Sequence, residues 1–233
     1  MLHSNIFLVT LLFAASPQAV TSFSAKPTTK TFHFGGGCFW APEDNIRNVG
    51  GVVSTSVGYC GDDDYSKKFQ NKPPSYDKVC GGRTNFVEAV RVEYDPSVLS
   101  YEDMLSEFAR VNTATWANKR QYKGIIFTAS KEEEEIASKF LESNDSVVAE
   151  LEPMSKTFYT AEKYHQNYWA KWRLRLPSLF ALCFAIGTFG EDLFGLDVSE
   201  NLYNVIVWGF LAVSLIERRF FYDQKVIVVK ESS

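Results

Sequence analysis

The chain has 233 residues, of which 45% are hydrophobic, and its formal net charge is −4 at pH 7. This length and hydrophobic content predict one domain with a buried core plus appendages, and they exclude a disordered chain. The acidic balance removes the general positive field that holds a phosphate backbone, so no nucleic-acid partner is expected.

Residues 1–30 have the composition of a signal or transit presequence. Residues 1–22 contain a short apolar run followed by small and polar residues, which is typical of a secretory signal. Residues 23–30 are rich in hydroxyl groups, lack acidic residues and carry two lysines, as transit peptides do. The junction V-T-S-F-S-A resembles the signal-to-transit junction of algae with complex plastids. The sequence therefore favours a plastid or a secretory destination, and a buried N-terminal segment is the alternative.

Residues 31–175 are predicted to form one domain of alternating strands and helices. Strands are predicted at 31–36, 52–59, 86–94, 124–128 and 147–154, and helices at 38–49, 100–111 and 130–141. Ser100 and Ser130 are the expected caps of the last two helices. This order predicts an α+β fold, namely a two-layer ferredoxin-like sandwich with a mostly antiparallel sheet. The polar stretch 60–85 is expected to be a structureless functional loop or lid.

The tail, residues 176–233, differs in composition from the preceding domain. Residues 177–190 and 202–216 are nearly free of charge, an acidic link joins them, and basic residues flank both outer ends. This pattern predicts an apolar helical hairpin whose two ends lie on the same, positive side. Each stretch falls short of the roughly 20 residues that cross a bilayer. A membrane hairpin, a shallow interfacial hairpin and a hairpin packed on the domain are therefore all open.

Four cysteines occur, Cys38, Cys60, Cys80 and Cys183, and their spacing fits neither a disulfide scaffold nor a metal site. Cys38 follows three glycines at the predicted change from strand to helix. The glycines permit a tight turn, and the helix N-terminus is expected to lower the pKa of the thiol by stabilising the thiolate, which is the attacking form. An unreactive buried cysteine is the alternative.

Several segments of the domain carry a resemblance to a known family. They are G-G-C-F-W at 36–40, S-V-G-Y at 56–59, P-S-Y-D-K-V-C at 74–80, E-A-V-R-V-E-Y-D-P at 88–96, Q-Y-K-G-I-I-F at 121–127 and A-E-K-Y-H-Q-N-Y at 161–168. In this order they resemble the A-type methionine sulfoxide reductases over roughly residues 31–170. The resemblance implies a peptide methionine (S)-S-oxide reductase, an oxidoreductase that repairs methionine S-sulfoxide, free or in proteins, under oxidative stress. It implies no cofactor, and the sequence contains no phosphate loop, dinucleotide fingerprint or metal motif.

The resemblance assigns a role to each catalytic candidate. Cys38 would attack the sulfoxide sulfur and become a sulfenic acid. Glu88 would protonate or hydrogen-bond the sulfoxide oxygen, since an unassisted oxide is a poor leaving group, and a partly apolar pocket would help the carboxyl keep its proton. Tyr76 and Tyr122 would help hold the same oxygen.

The substrate site is expected to include Phe39, Trp40 and Asn118. By resemblance, Phe39 and Trp40 would form an apolar cup for the substrate methyl group. T-A-T-W-A-N-K-R-Q-Y replaces the Asp-containing D-x-G-x-Q-Y of the family, which leaves Asn118 as the nearest polar substitute. N-F-V-E-A-V likewise replaces G-H-A-E-A-V around Glu88. Substrate preference and rate are expected to depend on these differences.

Regeneration of the sulfenic acid needs a second thiol. Many relatives carry one in a flexible polar C-terminal tail, and this chain does not. Cys60, in the predicted loop, is the first candidate for an internal resolving cysteine, and Cys80 fits a structural thiol equally well. Direct reduction is the alternative, with thioredoxin, glutaredoxin or glutathione as the expected reductant. His165 is predicted to be a packed, hydrogen-bonded group rather than a catalyst.

Two other functions fit the same residues. A membrane-tethered thiol oxidoreductase or peroxidase could use Cys38 without preference for sulfoxides. A catalytically impaired homologue could keep the fold and only bind.

Overall fold

The structure, a computed structural model, describes residues 28–70, 72–114, 119–194, 200–216 and 227–230. The strands are β1 (Lys30–Gly36), β2 (Val52–Cys60), β3 (Val87–Tyr94), β4 (Gly124–Thr128), β5 (Glu150–Pro153), β6 (Thr157–Thr160) and β7 (Ile227–Lys230). The helices are α1 (Trp40–Ile46), α2 (Asp63–Lys68), α3 (Tyr76–Cys80), α4 (Tyr101–Val111), α5 (Lys131–Glu142), α6 (Tyr168–Phe194) and α7 (Glu200–Ile216), and a 3-10 turn covers Arg120–Tyr122.

The described strands form one sheet in the order β5-β4-β1-β3-β2-β6-β7. β1 pairs antiparallel with β3 and β4, and β2 pairs antiparallel with β3 and β6. β5 runs parallel to β4. The mixed α+β class and the mostly antiparallel sheet are therefore confirmed.

Successive side chains of the central strands point to opposite faces of the sheet, so the buried residues form two clusters. The larger cluster packs Phe32 and Phe34 of β1 with Val90 of β3 against the helices, for example against Phe108 of α4. The smaller cluster, on the opposite face, includes Cys60, Val87, Ala89, Ile125, Phe127 and Phe158. These buried strands hold the ends of β1 and β3, where the site lies, in fixed register.

Helix caps explain why two helices begin where the sequence predicts. Ser100 accepts a hydrogen bond from Asp103 N–H, and Asp103 in turn accepts one from Ser100 N–H, which completes a capping box at the start of α4. Ser130 accepts from Glu133 N–H at the start of α5. Each cap pairs a backbone donor that the first helical turn leaves unpaired.

The prediction of a structureless loop over 60–85 was wrong. Cys60 is the last residue of β2, and α2 and α3 follow within this stretch. Asp62 caps α2 by accepting from Tyr65 N–H, so an acidic residue of this polar stretch starts a helix. Strands β6 and β7 were also missed, because each is short and gains its hydrogen bonds from distant partners.

The two C-terminal helices, α6 and α7, contact each other through the Trp172 and Phe210 rings, whose centroids are 6.4 Å apart. Pro177 lies inside α6. Many apolar side chains of both helices are exposed, including Phe180, Phe184 and Trp208. Within the described ranges, none of the helices combines the length and the apolar character that crossing a membrane requires.

Candidate active site

A glycine turn places Cys38 between β1 and α1. Gly37 has φ +88°, and an added Cβ there would lie 2.7 Å from Thr113 Oγ1, so the turn requires glycine. Gly36 O accepts hydrogen bonds from Thr113 N–H at 3.1 Å and from Thr113 Oγ1–H at 2.8 Å. An added Cβ at Gly35 would meet Val87 Cγ1 at 2.5 Å, so β1 and β3 approach closely just before the cysteine. The turn therefore fixes where the thiol points.

The Cys38 thiol is exposed, as a nucleophile must be. Its pKa is raised, because the surrounding protein removes water from the thiolate even though one side faces solvent. The Trp40 N–H lowers this pKa by hydrogen bonding, as a helix N-terminus should, but the effect of desolvation is larger. Negative charge on Glu88 and on Cys80 raises the pKa further. The prediction of a lowered thiol pKa was therefore wrong in direction.

Glu88, on β3, lies beside the nucleophile and is 1% exposed. Its Oε2 accepts from Phe39 N–H at 3.4 Å, and its Oε1 accepts from Gln121 Nε2–H at 3.3 Å and from Cys80 Sγ–H at 3.9 Å. Burial raises the pKa of the carboxyl to about 7, while these three donors act in the opposite direction. A carboxyl with this pKa can hold a proton and release it near neutral pH.

Tyr76, Tyr122 and Cys80 surround the same carboxyl. The Tyr76 hydroxyl hydrogen-bonds the Cys80 thiol, and burial raises the pKa of both groups. Tyr122 is near enough to Glu88, Cys80 and Cys38 for their charges to raise the pKa of its hydroxyl, although burial is the larger cause. The structure thus brings together all four catalytic residues suggested by the sequence. It adds Cys80, whose sulfur also accepts from Gln121 Nε2–H at 3.3 Å.

Phe39 and Trp40 have different positions. Phe39 is 1% exposed, and its ring packs on Tyr59 and His165 inside the core. Trp40 is half-buried, stacks on Tyr168 with ring centroids 3.8 Å apart, and donates from Nε1–H to His165 Nδ1 at 3.0 Å. Trp40 is therefore the accessible member of the expected apolar cup. His165 orients the indole, in agreement with its predicted structural role.

Glu162 ties the site together and was not singled out from the sequence. It accepts from the Tyr59 hydroxyl at 2.8 Å and from Tyr76 N–H at 3.2 Å. Its Oε2 lies 3.9 Å from His165 Nε2. One carboxyl thus connects β2, the start of α3 and the residue that orients Trp40. Gln121, which donates a hydrogen bond to Glu88, was also missed. The only signal for Glu162 and Gln121 in the sequence is that each lies in a motif of the family.

Two further predicted site residues are not part of this cluster. Cys60 is 0% exposed in the smaller core cluster, at the end of a strand, so its expected loop position was wrong. Asn118 lies outside the described residues. Cys183, which was not expected in the site, lies on α6.

Comparison with known proteins identifies the family. The family model described as peptide methionine sulfoxide reductase matches residues 30–178. The chain belongs to this family. Peptide methionine sulfoxide reductase MsrA of Methanothermobacter thermautotrophicus is 40% identical over 151 residues, covering 59% of this chain and 85% of that protein. The MsrA of Nautilia profundicola is 38% identical over 148 residues, covering 59% and 81%.

Two solved structures have a fold similar to that of this chain. The reduced form of Mxr1 from Saccharomyces cerevisiae aligns with a TM-score of 0.52 at 31% identity, covering 61% of this chain and 85% of Mxr1. Methionine sulfoxide reductase A of Corynebacterium diphtheriae aligns with a TM-score of 0.51 at 28% identity, covering 63% and 76%. The family match ends inside α6, so α7 lies beyond it.

Proposed function

We propose that this reductase converts methionine S-sulfoxide, free or within polypeptides, to methionine, with Cys38 as nucleophile and Glu88 as acid. One observation carries the proposal. A buried carboxyl with a pKa of about 7 accepts from the N–H that follows Cys38, and it has a second cysteine on its other oxygen. Nucleophile, proton donor and a second thiol thus meet at one point.

The reaction balances with these groups alone. The Cys38 thiolate bonds to the sulfoxide sulfur while the sulfoxide oxygen takes the proton of Glu88. The resulting hydroxyl then moves to the Cys38 sulfur as the new S–S bond and the original S–O bond both break, so Cys38 ends as a sulfenic acid. Methionine leaves as the thioether, and Glu88 is left as a carboxylate. Because the pKa of Cys38 is raised and that of Glu88 is about 7, the pair shares one proton over a range above neutrality. Transfer of that proton from the thiol to the carboxyl forms the reactive pair.

Neighbouring residues complete the substrate site. The Tyr76 and Tyr122 hydroxyls lie around Glu88 and are the proposed donors to the sulfoxide oxygen. Trp40 presents the apolar surface proposed for the substrate methyl group, and both Trp40 and the buried Phe39 pack on His165. Asn118 stays in the proposal on sequence grounds, as a polar group that could replace the family's Asp.

For regeneration, Cys80 is better placed than Cys60. The Cys80 thiol donates to Glu88, and the charge of Glu88 also acts on Cys38. A negative charge on the Cys80 sulfur is likewise near enough to raise the pKa of Cys38. The carboxylate formed in the first step can take the proton of Cys80. The Cys80 thiolate then attacks the sulfenic acid, the proton on Glu88 passes to the leaving hydroxide, and the products are a Cys38–Cys80 disulfide and water. Thioredoxin, glutaredoxin or glutathione is the proposed reductant of that disulfide.

A thiol count tests this step. After one equivalent of methionine S-sulfoxide without reductant, we expect the wild-type chain to lose two thiols. Cys80→Ser should lose one, with Cys38 trapped as its dimedone adduct, because the sulfenic acid has no partner. Cys60→Ser is the control and should behave as wild type. If Cys60→Ser instead kept the sulfenic acid, Cys60 would be the resolving cysteine.

Stereospecific turnover tests the function itself. With a dithiol as reductant, the full chain should consume the S epimer of N-acetyl-methionine sulfoxide and leave the R epimer, as followed by chiral chromatography. Cys38→Ser should abolish consumption of the S epimer, since a serine hydroxyl is a far weaker nucleophile than a cysteine thiolate near neutral pH. Peroxide consumption without sulfoxide turnover would indicate the thiol peroxidase instead, and binding without turnover would indicate an impaired homologue.

The remaining parts of the proposal concern architecture and destination. The antiparallel order β4-β1-β3-β2 with α1 and α4 packed on it supports a ferredoxin-like sandwich as the core. The contact between Trp172 of α6 and Phe210 of α7 supports a helical hairpin at the start of the tail, residues 176–233, whereas the later residues 227–230 of that tail form strand β7 of the sheet. Residues 1–30 are the proposed presequence for a plastid or secretory route. Fluorescence microscopy of the chain fused at its C-terminus tests that destination.

A further inference from the structure

A cavity of about 570 Å³ lies between the active site and the two C-terminal helices. Trp40 and Tyr76 line its catalytic side, and Tyr168, which stacks on Trp40, continues that wall into α6. Cavities of this size accommodate a ligand larger than one side chain. The cavity therefore borders the proposed sulfoxide site at Trp40 and Tyr76.

The opposite wall comes from α7, beyond the part of the chain that the family model matches. Trp208, Leu211 and Leu215 recur three or four residues apart, so they form one face of this helix. Trp208 is 68% exposed and Leu215 is 66% exposed, so the apolar wall is accessible to a ligand.

The charge of the lining restricts what fits. Two basic side chains line the cavity, Lys171 and Arg175, which lie one turn apart on α6. The described residues that line it include no carboxylate. Lys171 Nζ also donates to Lys163 O at 3.1 Å, which keeps its charge at the cavity edge. A basic ligand is therefore disfavoured, whereas apolar and aromatic groups match the rest of the surface.

We propose that this cavity is a specificity subsite that binds apolar or aromatic residues next to an oxidised methionine in a polypeptide substrate. Consecutive Cα atoms are about 3.8 Å apart, so a methionine sulfoxide held at Trp40 and Tyr76 brings its neighbours into the cavity. The inference rests on the proposed function, because it assumes that the sulfoxide reacts beside these two residues.

The test compares two S-sulfoxide substrates with the full chain. One is N-acetyl-methionine sulfoxide amide, and the other is a peptide with Phe and Leu beside the oxidised methionine. The readout is the ratio of kcat/KM for the peptide to kcat/KM for the amide. An inactive fraction of a variant lowers both values equally, so the ratio is insensitive to partial misfolding.

Trp208→Ala and Leu211→Ala are each expected to lower this ratio by about tenfold, as loss of one large apolar contact predicts. Val213→Ala is the matched control, since Val213 lies on the same helix, is 62% exposed and is not part of the wall. Its ratio should equal that of wild type. A peptide with Lys at both flanks should give a lower ratio than the Phe and Leu peptide.

Three outcomes would overturn the inference. An unchanged ratio in Trp208→Ala and Leu211→Ala would show that substrate does not use the cavity. If the ratio is unchanged and wild type floats with phosphatidylcholine vesicles but Trp208→Ala does not, the surface binds lipid. If the ratio is unchanged and wild type is a dimer in size-exclusion chromatography but Trp208→Ala is not, the surface binds a second copy of the chain. If wild type turns over neither substrate, the proposed function fails, and that result is distinct from all three.

Discussion

Glu88 and Glu162 are both buried glutamates at the active site, and they are held in different ways. Glu88 accepts from Phe39 N–H, Gln121 and Cys80 at 3.3 to 3.9 Å, and all three donors are neutral. Glu162 accepts from the Tyr59 hydroxyl at 2.8 Å and from Tyr76 N–H at 3.2 Å. Burial raises the pKa of Tyr59, so this hydroxyl remains a donor.

The difference shows how one residue type can take two roles within one site. Long hydrogen bonds from neutral donors compensate little of the cost of burying a charge, so Glu88 keeps its proton to about pH 7. The shorter bonds of Glu162 join β2 to the start of α3. Glu88 is therefore suited to proton transfer, whereas Glu162 is suited to holding Tyr76 and, through His165, Trp40 in position.

The largest expected effect is on turnover, and it separates the two carboxyls. Glu88→Gln should lower kcat for N-acetyl-methionine S-sulfoxide by roughly 10²–10⁴-fold, the usual contribution of a positioned acid, because an amide cannot give up a proton. Glu162→Gln should lower kcat much less, since it touches no reacting atom. Steady-state kinetics with a dithiol measures both. A similar loss in the two variants would contradict separate roles.

Alkylation of Cys38 by iodoacetamide provides the control for Glu88→Gln. This reaction needs the thiolate but no proton donor. Because the negative charge of Glu88 raises the pKa of Cys38, the variant should have a lower thiol pKa and react at least as fast as wild type near neutral pH. Slower alkylation would mean that the substitution damaged the nucleophile rather than removed the acid.

The sequence predicts what depends on local pattern and on the family motifs. The strand ending in glycine and the caps Ser100 and Ser130 follow from neighbouring residues, and the grouping of Cys38 with Glu88 follows from the family motifs. The loss of water around the Cys38 sulfur cannot be predicted in this way, because it depends on how much of the folded protein surrounds that atom. The direction of the Cys38 pKa shift was therefore missed. The same holds for Glu162, whose partners Tyr59 and Tyr76 are far away in the chain.

The next prediction concerns how the stability contributed by Glu88 changes with pH. The pKa of Glu88 is about 7 in the folded chain, against 4.5 for an ordinary glutamate, so its ionisation opposes folding. This group's contribution to stability is fully present below pH 4.5 and is lost as the pH rises through about 7. Glu88→Gln stays neutral, but its NH₂ group must face one of the donors from which Glu88 accepts, which costs about 1–3 kcal/mol at either pH. Relative to wild type, the variant should therefore gain up to about 3 kcal/mol of stability between pH 4 and pH 8. Urea unfolding at the two pH values measures this.

Glu162→Gln should lower the stability of the fold. The amide can offer one oxygen to the Tyr59 hydroxyl, but its NH₂ group then faces Tyr76 N–H, and two donors cannot pair. A buried donor left without an acceptor costs about 1–3 kcal/mol, so the variant should be less stable than wild type by this amount at pH 8. The same unfolding experiment measures it, with Glu102→Gln, on the exposed face of α4, as the matched surface control. A variant at least as stable as wild type would show that the hydrogen bonds of Glu162 do not stabilise the fold, and the distinction between the two carboxyls would fail.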